Sequence, residues 1–138
     1  MPADFLDTNI FVYLFDRKAD AKRLRAEQLV REALLNRSGC ISSQVVQETL
    51  NVLVRKYGLS DEGASDLLDD VLQPLWQVTP DAGLCRRALA LRSRYGFSFY
   101  DALIVAAALE AGCTRLWSED LQHGQHIGVL QVENPFRA

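Results

Sequence analysis

Several things are scarce in this 138-residue sequence. No apolar run approaches the ~20 residues that a bilayer span requires. The first residues, "MPADFLDTN", place acids where the basic region of a secretory signal would stand. We therefore expect a soluble, cytoplasmic chain folded as one domain. Cysteine is limited to Cys40, Cys85 and Cys113, far apart and without a C-x-x-C pair. That pattern predicts reduced, buried thiols rather than a redox or zinc site. The two histidines, His123 and His126, sit in a glycine-containing loop with no cysteine nearby to complete a zinc site. We read that segment as a polar loop. No lysine follows Lys56. This counts against α/β phospho-acceptor and phosphatase domains, which use strand-end aspartates together with a lysine after a late strand.

Apolar residues make up 49% of the chain and charged residues 24%, enough to bury a core. The net charge of −3 argues against broad coating of nucleic acid. The charge is unevenly spread. Asp61, Glu62, Asp66, Asp69, Asp70 and Asp81 lie in a stretch without a basic residue, and Arg86, Arg87, Arg92 and Arg94 in one without an acid. These four arginines are candidate phosphate contacts, weighed against a solvated helix face. Arg17, Lys18, Lys22, Arg23 and Arg25 form a second candidate patch. Tyr100, Trp76 and Trp117 could stack bases, although the two tryptophans fall in predicted strands and are expected in the core.

Short apolar segments alternate with helical patterns. Strands are expected at "ADFLD" (3–7), "GCIS" (39–42), "LWQVT" (75–79), "TRLWS" (114–118) and "VLQVE" (129–133). Helices are expected over 8–15, 18–36, 44–58, 59–73 ending before Pro74, 81–95 and 98–112, with a polar loop at 119–128. Caps are assigned to Ser42 or Ser43, Ser60, Pro80 or Asp81, and Ser98, and stops to Gly58 and Gly96. This alternation implies an α/β fold with a central, mostly parallel sheet of about five strands and helices on both faces. In such sheets ligands sit beyond the carboxyl ends of the strands.

Four carboxylates fit that place. Asp7 ends the first strand, Glu48 borders the apolar face of its helix, Asp101 heads an apolar helix, and Asp120 follows a late strand. Each has an ordinary explanation: a cap for Asp7, a capping box with Ser98 for Asp101, a solvated helix position for Glu48, a loop acid for Asp120. Together, four acids at one sheet edge repel one another unless a cation compensates. A hard divalent ion, Mg²⁺ or Mn²⁺, suits carboxylate and water oxygens.

"FLDTN", "SSQVVQETLNVL", "FSFYDALIVAAALEAGC" and "LWSEDLQHGQ" together resemble the PIN-domain ribonucleases, and most nearly the VapC toxins of bacterial type II toxin–antitoxin pairs. The resemblance implies a three-layer α/β/α PIN domain over 1–138 and a metal-dependent endoribonuclease. It implies Asp7, Glu48, Asp101 and Asp120 as catalytic acids that bind one or two Mg²⁺ or Mn²⁺ ions. It also implies in-line attack on phosphorus that leaves 5′-phosphate and 3′-hydroxyl ends. Thr8 and Ser118, with Asn9, would orient the acids by hydrogen bonds. The implied partners are RNA, a small VapB-like antitoxin and a second copy of the chain, with exposed apolar faces of the 18–36 and 43–57 helices as contact surfaces. The alternative is a PIN-like RNA- or protein-binding module that has lost catalysis.

Overall fold

A computed structural model describes residues 2–137. The strands are β1 (Asp4–Leu6), β2 (Gly39–Ser42), β3 (Trp76–Val78), β4 (Arg115–Trp117), β5 (His126–Ile127) and β6 (Leu130–Glu133). Among the described residues they form one six-stranded sheet in the order β3-β2-β1-β4-β6-β5. All pairs are parallel except β5 with β6. The sheet thus has one strand more than expected. His126–Ile127 lies inside the predicted polar loop and folds back on β6 through Gly128, whose φ is +61°. Two residues are too few to show alternation in a sequence.

The helices are α1 (Thr8–Val12, extended by a 3-10 turn over Tyr13–Phe15), α2 (Asp20–Leu35), α3 (Ser43–Lys56), α4 (Asp61–Leu67), α5 (Gln73–Leu75), α6 (Ala82–Tyr95) and α7 (Phe99–Glu110). Adjacent residues of β2 show that they lie on both faces of the sheet. A Cβ placed on Gly39 would meet Ala33 of α2 at 2.5 Å. The side chain of the next residue, Cys40, meets Cys113, just beyond α7, at 4.0 Å. Successive strand residues point to opposite faces, so α2 and α7 sandwich the sheet. Ala106, Ala107 and Ala108 are buried in α7, and their small side chains let this helix lie close against β2 and β4. Cys40 and Cys113 are buried free thiols, as expected, while Cys85 is half-buried. Among the described residues no helix is long and apolar enough to cross a membrane.

Most helix starts follow local signals. Ser42, Ser60, Asp81 and Ser98 each accept a backbone N–H three residues on, and Gly96 ends α6 with a φ of +76°. The expected stop before Pro74 does not occur. The chain continues from α4 through a π turn (Leu68–Leu72) into α5, with Pro74 in the first turn of that short helix. There the missing proline N–H costs little. Trp117 is buried, but Trp76 is 37% exposed, contrary to expectation, because β3 is an edge strand. Its indole N–H donates to Ser43 Oγ at 3.0 Å.

Candidate active site

β1 and β2 run parallel, and each passes directly into a helix. The first turns of α1 and α7 and the first three turns of α3 gather at a cleft of about 250 Å³ lined by Asp7, Glu48, Asp101 and Asp120, with Thr8, Asn9, Gln44 and Tyr100. The positive ends of helix dipoles favour negative charge at such a place. No Lys or Arg lines the cleft. Among the described residues, none of the four acids makes a salt bridge.

Asp7 is 6% exposed. Its Oδ1 accepts the Thr8 N–H at 2.7 Å, so it does act as a cap, and its Oδ2 accepts from Ser118 Oγ at 2.8 Å. Ser118 is fully buried and also accepts the N–H groups of Asp120 at 3.2 Å and Leu121 at 3.3 Å. One hydroxyl therefore ties the end of β1 to the loop that carries Asp120. Burial lifts the Asp7 pKa to about 6. The bonds from Ser118 and Thr8 oppose that rise, while the charges of Asp120 and Glu48 add to it.

Glu48 is half-buried and held on both oxygens. Thr8 Oγ1 donates to Oε2 at 3.2 Å, and Gln44 Nε2 donates to Oε1 at 2.8 Å. Asp120 is exposed at the mouth of the cleft, yet partial desolvation raises its pKa, followed by the charges of Asp101, Glu119 and Glu48. The Asn9 amide opposes this rise without reaching good hydrogen-bond geometry, and both its polar atoms are buried without a partner among the described residues. The Ser98–Asp101 capping box is half formed. Asp101 N–H donates to Ser98 Oγ at 3.2 Å, and no hydrogen bond reaches the Asp101 carboxylate among the described residues. That carboxylate faces the cleft instead.

Other expected groups lie elsewhere. Arg86, Arg87, Arg92 and Arg94 are exposed on α6 and do not line the cleft. Two members of the second basic patch are neutralised by acids, and a third bonds to uncharged oxygens. Lys22 pairs with Glu119 at 2.6 Å, Arg23 with Asp20 at 2.7 Å, and Arg25 bonds to Pro135 O at 3.3 Å and Gln28 at 3.0 Å. His123 Nδ1 accepts the Asn134 N–H at 3.0 Å, which serves the loop rather than the cleft. Sequence reasoning passed over Gln44. The available signal was its spacing four residues before Glu48 on one helix face. It also passed over the clamp on Glu119, whose carboxylate takes Tyr13 OH at 2.6 Å and Lys22 Nζ at 2.6 Å. No sequence signal links those residues.

The oxygen-only donor set, the absence of a cationic partner and the unpartnered Asn9 amide fit a hard divalent ion. Among the described residues no three acids, histidines or cysteines converge closely enough to enclose one directly. An ion here would be held partly through water, as Mg²⁺ commonly is.

The PIN-domain family profile matches residues 5–125. The chain belongs to the PIN-domain family. PIN domains are typically nucleases and generally use divalent metals. Solved structures share the fold of this PIN domain at low identity. A toxin–antitoxin complex from Klebsiella pneumoniae aligns with a TM-score of 0.71 and 22% identity over 99% of this chain and 100% of that one. VapC20 of Mycobacterium tuberculosis, a sarcin–ricin-loop-cleaving toxin, aligns at 0.62 and 22% over 86% and 92%. VapBC2 of Rickettsia felis, bound to a DNA fragment from its promoter, aligns at 0.62 and 20% over 96% and 98%. No curated protein sequence matches the chain.

Proposed function

We propose that this PIN domain, spanning 1–138, is a Mg²⁺- or Mn²⁺-dependent endoribonuclease and the toxin of a toxin–antitoxin pair. The observation that carries the reading is a cleft with four carboxylates, one of them buried, and, among the described residues, no cation from the chain to balance them. Asp7, Glu48, Asp101 and Asp120 would hold the ion, in part through water. When bound, it supplies charge neutralisation and polarises a phosphodiester. Ser118 and Thr8 N–H aim Asp7, Thr8 and Gln44 fix Glu48, and Ser118 holds the backbone of Asp120. Asp7 and Glu48 thus meet substrate already oriented. Water adds to phosphorus and the bond to the 3′-oxygen breaks, leaving 5′-phosphate and 3′-hydroxyl ends. The arginines of α6 are the proposed outer phosphate contacts.

A catalytically inactive binding module is the rival reading, and the wide spacing of the acids favours it. Cleavage of total RNA by the purified protein decides between them. We expect cutting with Mn²⁺, none in excess EDTA, and recovery when Mn²⁺ is restored. Undiminished cutting in EDTA would remove the metal mechanism, and no cutting with either ion would favour the rival.

The toxin assignment and a small VapB-like antitoxin draw on the toxin–antitoxin complexes among the fold relatives, and the homodimer on the family resemblance alone. Leu24 and Leu35 of α2, Val54 of α3 and the adjoining Tyr57 are exposed apolar residues available for such contacts. Light scattering at high micromolar concentration, alone and after co-expression with the product of the adjacent reading frame, tests both partners. A monomer that gains no partner counts against them.

A further inference from the structure

The acid cleft has a neighbour that the cleavage step does not use. A largely apolar cavity of about 110 Å³ opens beside it, and both Gln44 and Tyr100 line the two spaces. The cavity floor comes from Val78, Leu84 and Leu103, and among the described residues no charged one lines it. Tyr100 stands on the shared rim and is 66% exposed, although it is a large aromatic residue. Its backbone is held, and its ring has one aromatic neighbour. The ring of Phe99 lies edge-on at 5.7 Å, and the Tyr100 carbonyl accepts from Gln44 Nε2 at 3.2 Å. The same nitrogen donates to Glu48 Oε1 at 2.8 Å. One carboxamide therefore joins the aromatic rim to a carboxylate of the cleft.

We infer that this cavity is a subsite for one nucleobase of single-stranded RNA, adjoining the phosphate in the acid cleft, with Tyr100 as its stacking face. The inference rests on the ribonuclease reading of the cleft. A phosphate has no counter-charge in the cavity, whereas the flat face of a base suits its apolar walls. The base edge can meet the polar rim at Gln47, which is exposed. Size selects among bases. An enclosed cavity of ~150 Å³ admits a benzene ring, so about 110 Å³ holds only part of a six-membered ring, the rest projecting through the open side toward Tyr100, and a fused pair would project further. Pyrimidines are the preferred occupants.

The test uses fluorescein-labelled ten-nucleotide oligo(U), oligo(C) and oligo(A). Binding is measured by anisotropy with Ca²⁺, and cleavage separately with Mn²⁺. Stacking on one aromatic side chain accounts for roughly a tenfold or larger change in affinity. We expect Tyr100→Ala to weaken oligo(U) binding by about that factor and to raise KM more than it lowers kcat. Tyr100→Phe should keep the wild-type affinity, and oligo(U) and oligo(C) should bind more tightly than oligo(A). An unchanged affinity in Tyr100→Ala overturns the subsite, as does an equal loss in the Phe variant, a preference for oligo(A), or no RNA binding by the wild type. Weaker binding of a protein partner by Tyr100→Ala with RNA affinity intact would reassign the cavity to that partner. Base-dependent binding without cleavage in Mn²⁺ would leave the subsite standing and remove the ribonuclease reading.

Discussion

Strand β1 begins with one aspartate and is followed directly by another, and the two are treated in opposite ways. Asp4, at the amino end, receives Arg115 through two bonds of 3.0 Å and the Trp117 indole N–H at 3.3 Å. Asp7, at the carboxyl end, receives only the uncharged donors Ser118 and Thr8 N–H. The same contrast recurs between neighbours on one loop. Glu119 is clamped by Lys22 and Tyr13. Burial alone would raise its pKa, but those two partners hold it below the usual carboxylate range. Asp120, next to it, has no cation and is shifted upward. Asp4 and Glu119 carry their counter-charge within the chain. The acids of the cleft leave theirs to be supplied from outside, which is the electrostatic form expected of a cation site.

The largest expected effect comes from breaking the open side of this contrast. Asp101→Asn keeps the size of the side chain and the backbone bond to Ser98. Removing one electrostatic element of a catalytic site typically lowers the rate ~100-fold or more. We expect that loss in RNA cleavage with Mn²⁺, together with metal-free melting at or above wild type because one repelling charge is gone. A variant that melts lower and cuts normally would make Asp101 a cap only.

Asp7 sharpens the contrast through pH. Its folded pKa of about 6 lies above the ordinary value of 3.8, so the folded state holds this proton more tightly than the unfolded chain. The resulting stability is complete below about pH 4 and is lost as pH rises through 6. About two pK units correspond to ~3 kcal/mol of cost for ionised Asp7 at pH 8. Asp7→Asn should therefore be more stable than metal-free wild type at pH 8, by up to that order, and nearly equal to it at pH 4. Denaturant midpoints at the two pH values measure this. Equal gains at both would show that charge is not the cause.

Arg115→Ala breaks the closed side. The Asp4 side chain is only 16% exposed, so leaving it without its ion-pair partner should cost on the order of 1–2 kcal/mol, somewhat above a surface pair. RNA cleavage should persist. A large loss of activity without loss of stability would mean that the two ends of β1 are coupled. The smallest effect is expected from the arginines of α6, which lie outside the cleft. Replacing them in pairs should reduce the salt dependence of RNA binding by roughly one unit of slope for each phosphate no longer neutralised. An unchanged slope returns them to a solvated helix face.

The sequence by itself determined what depends on near neighbours and on period. Ser42, Ser60, Asp81 and Ser98 act within three residues of their partners, Gly96 acts on its own backbone, and the alternation of short apolar strands with helices predicts a parallel sheet. The positions of Asp7 and Asp120 after strands and of Asp101 at a helix start were legible for the same reason. Tertiary structure decided what depends on distant partners. Whether an acid is paired turns on side chains far off in sequence: Lys22 reaches Glu119, Arg115 reaches Asp4, and Ser118 reaches Asp7. It also decided that Trp76 is exposed on an edge strand, that His126–Ile127 completes a hairpin, and that a π turn carries the helix past Pro74. Local preferences are set by a few bonds along the chain. A carboxylate's charge state is set by everything that packs around it, and only the folded chain brings those groups together.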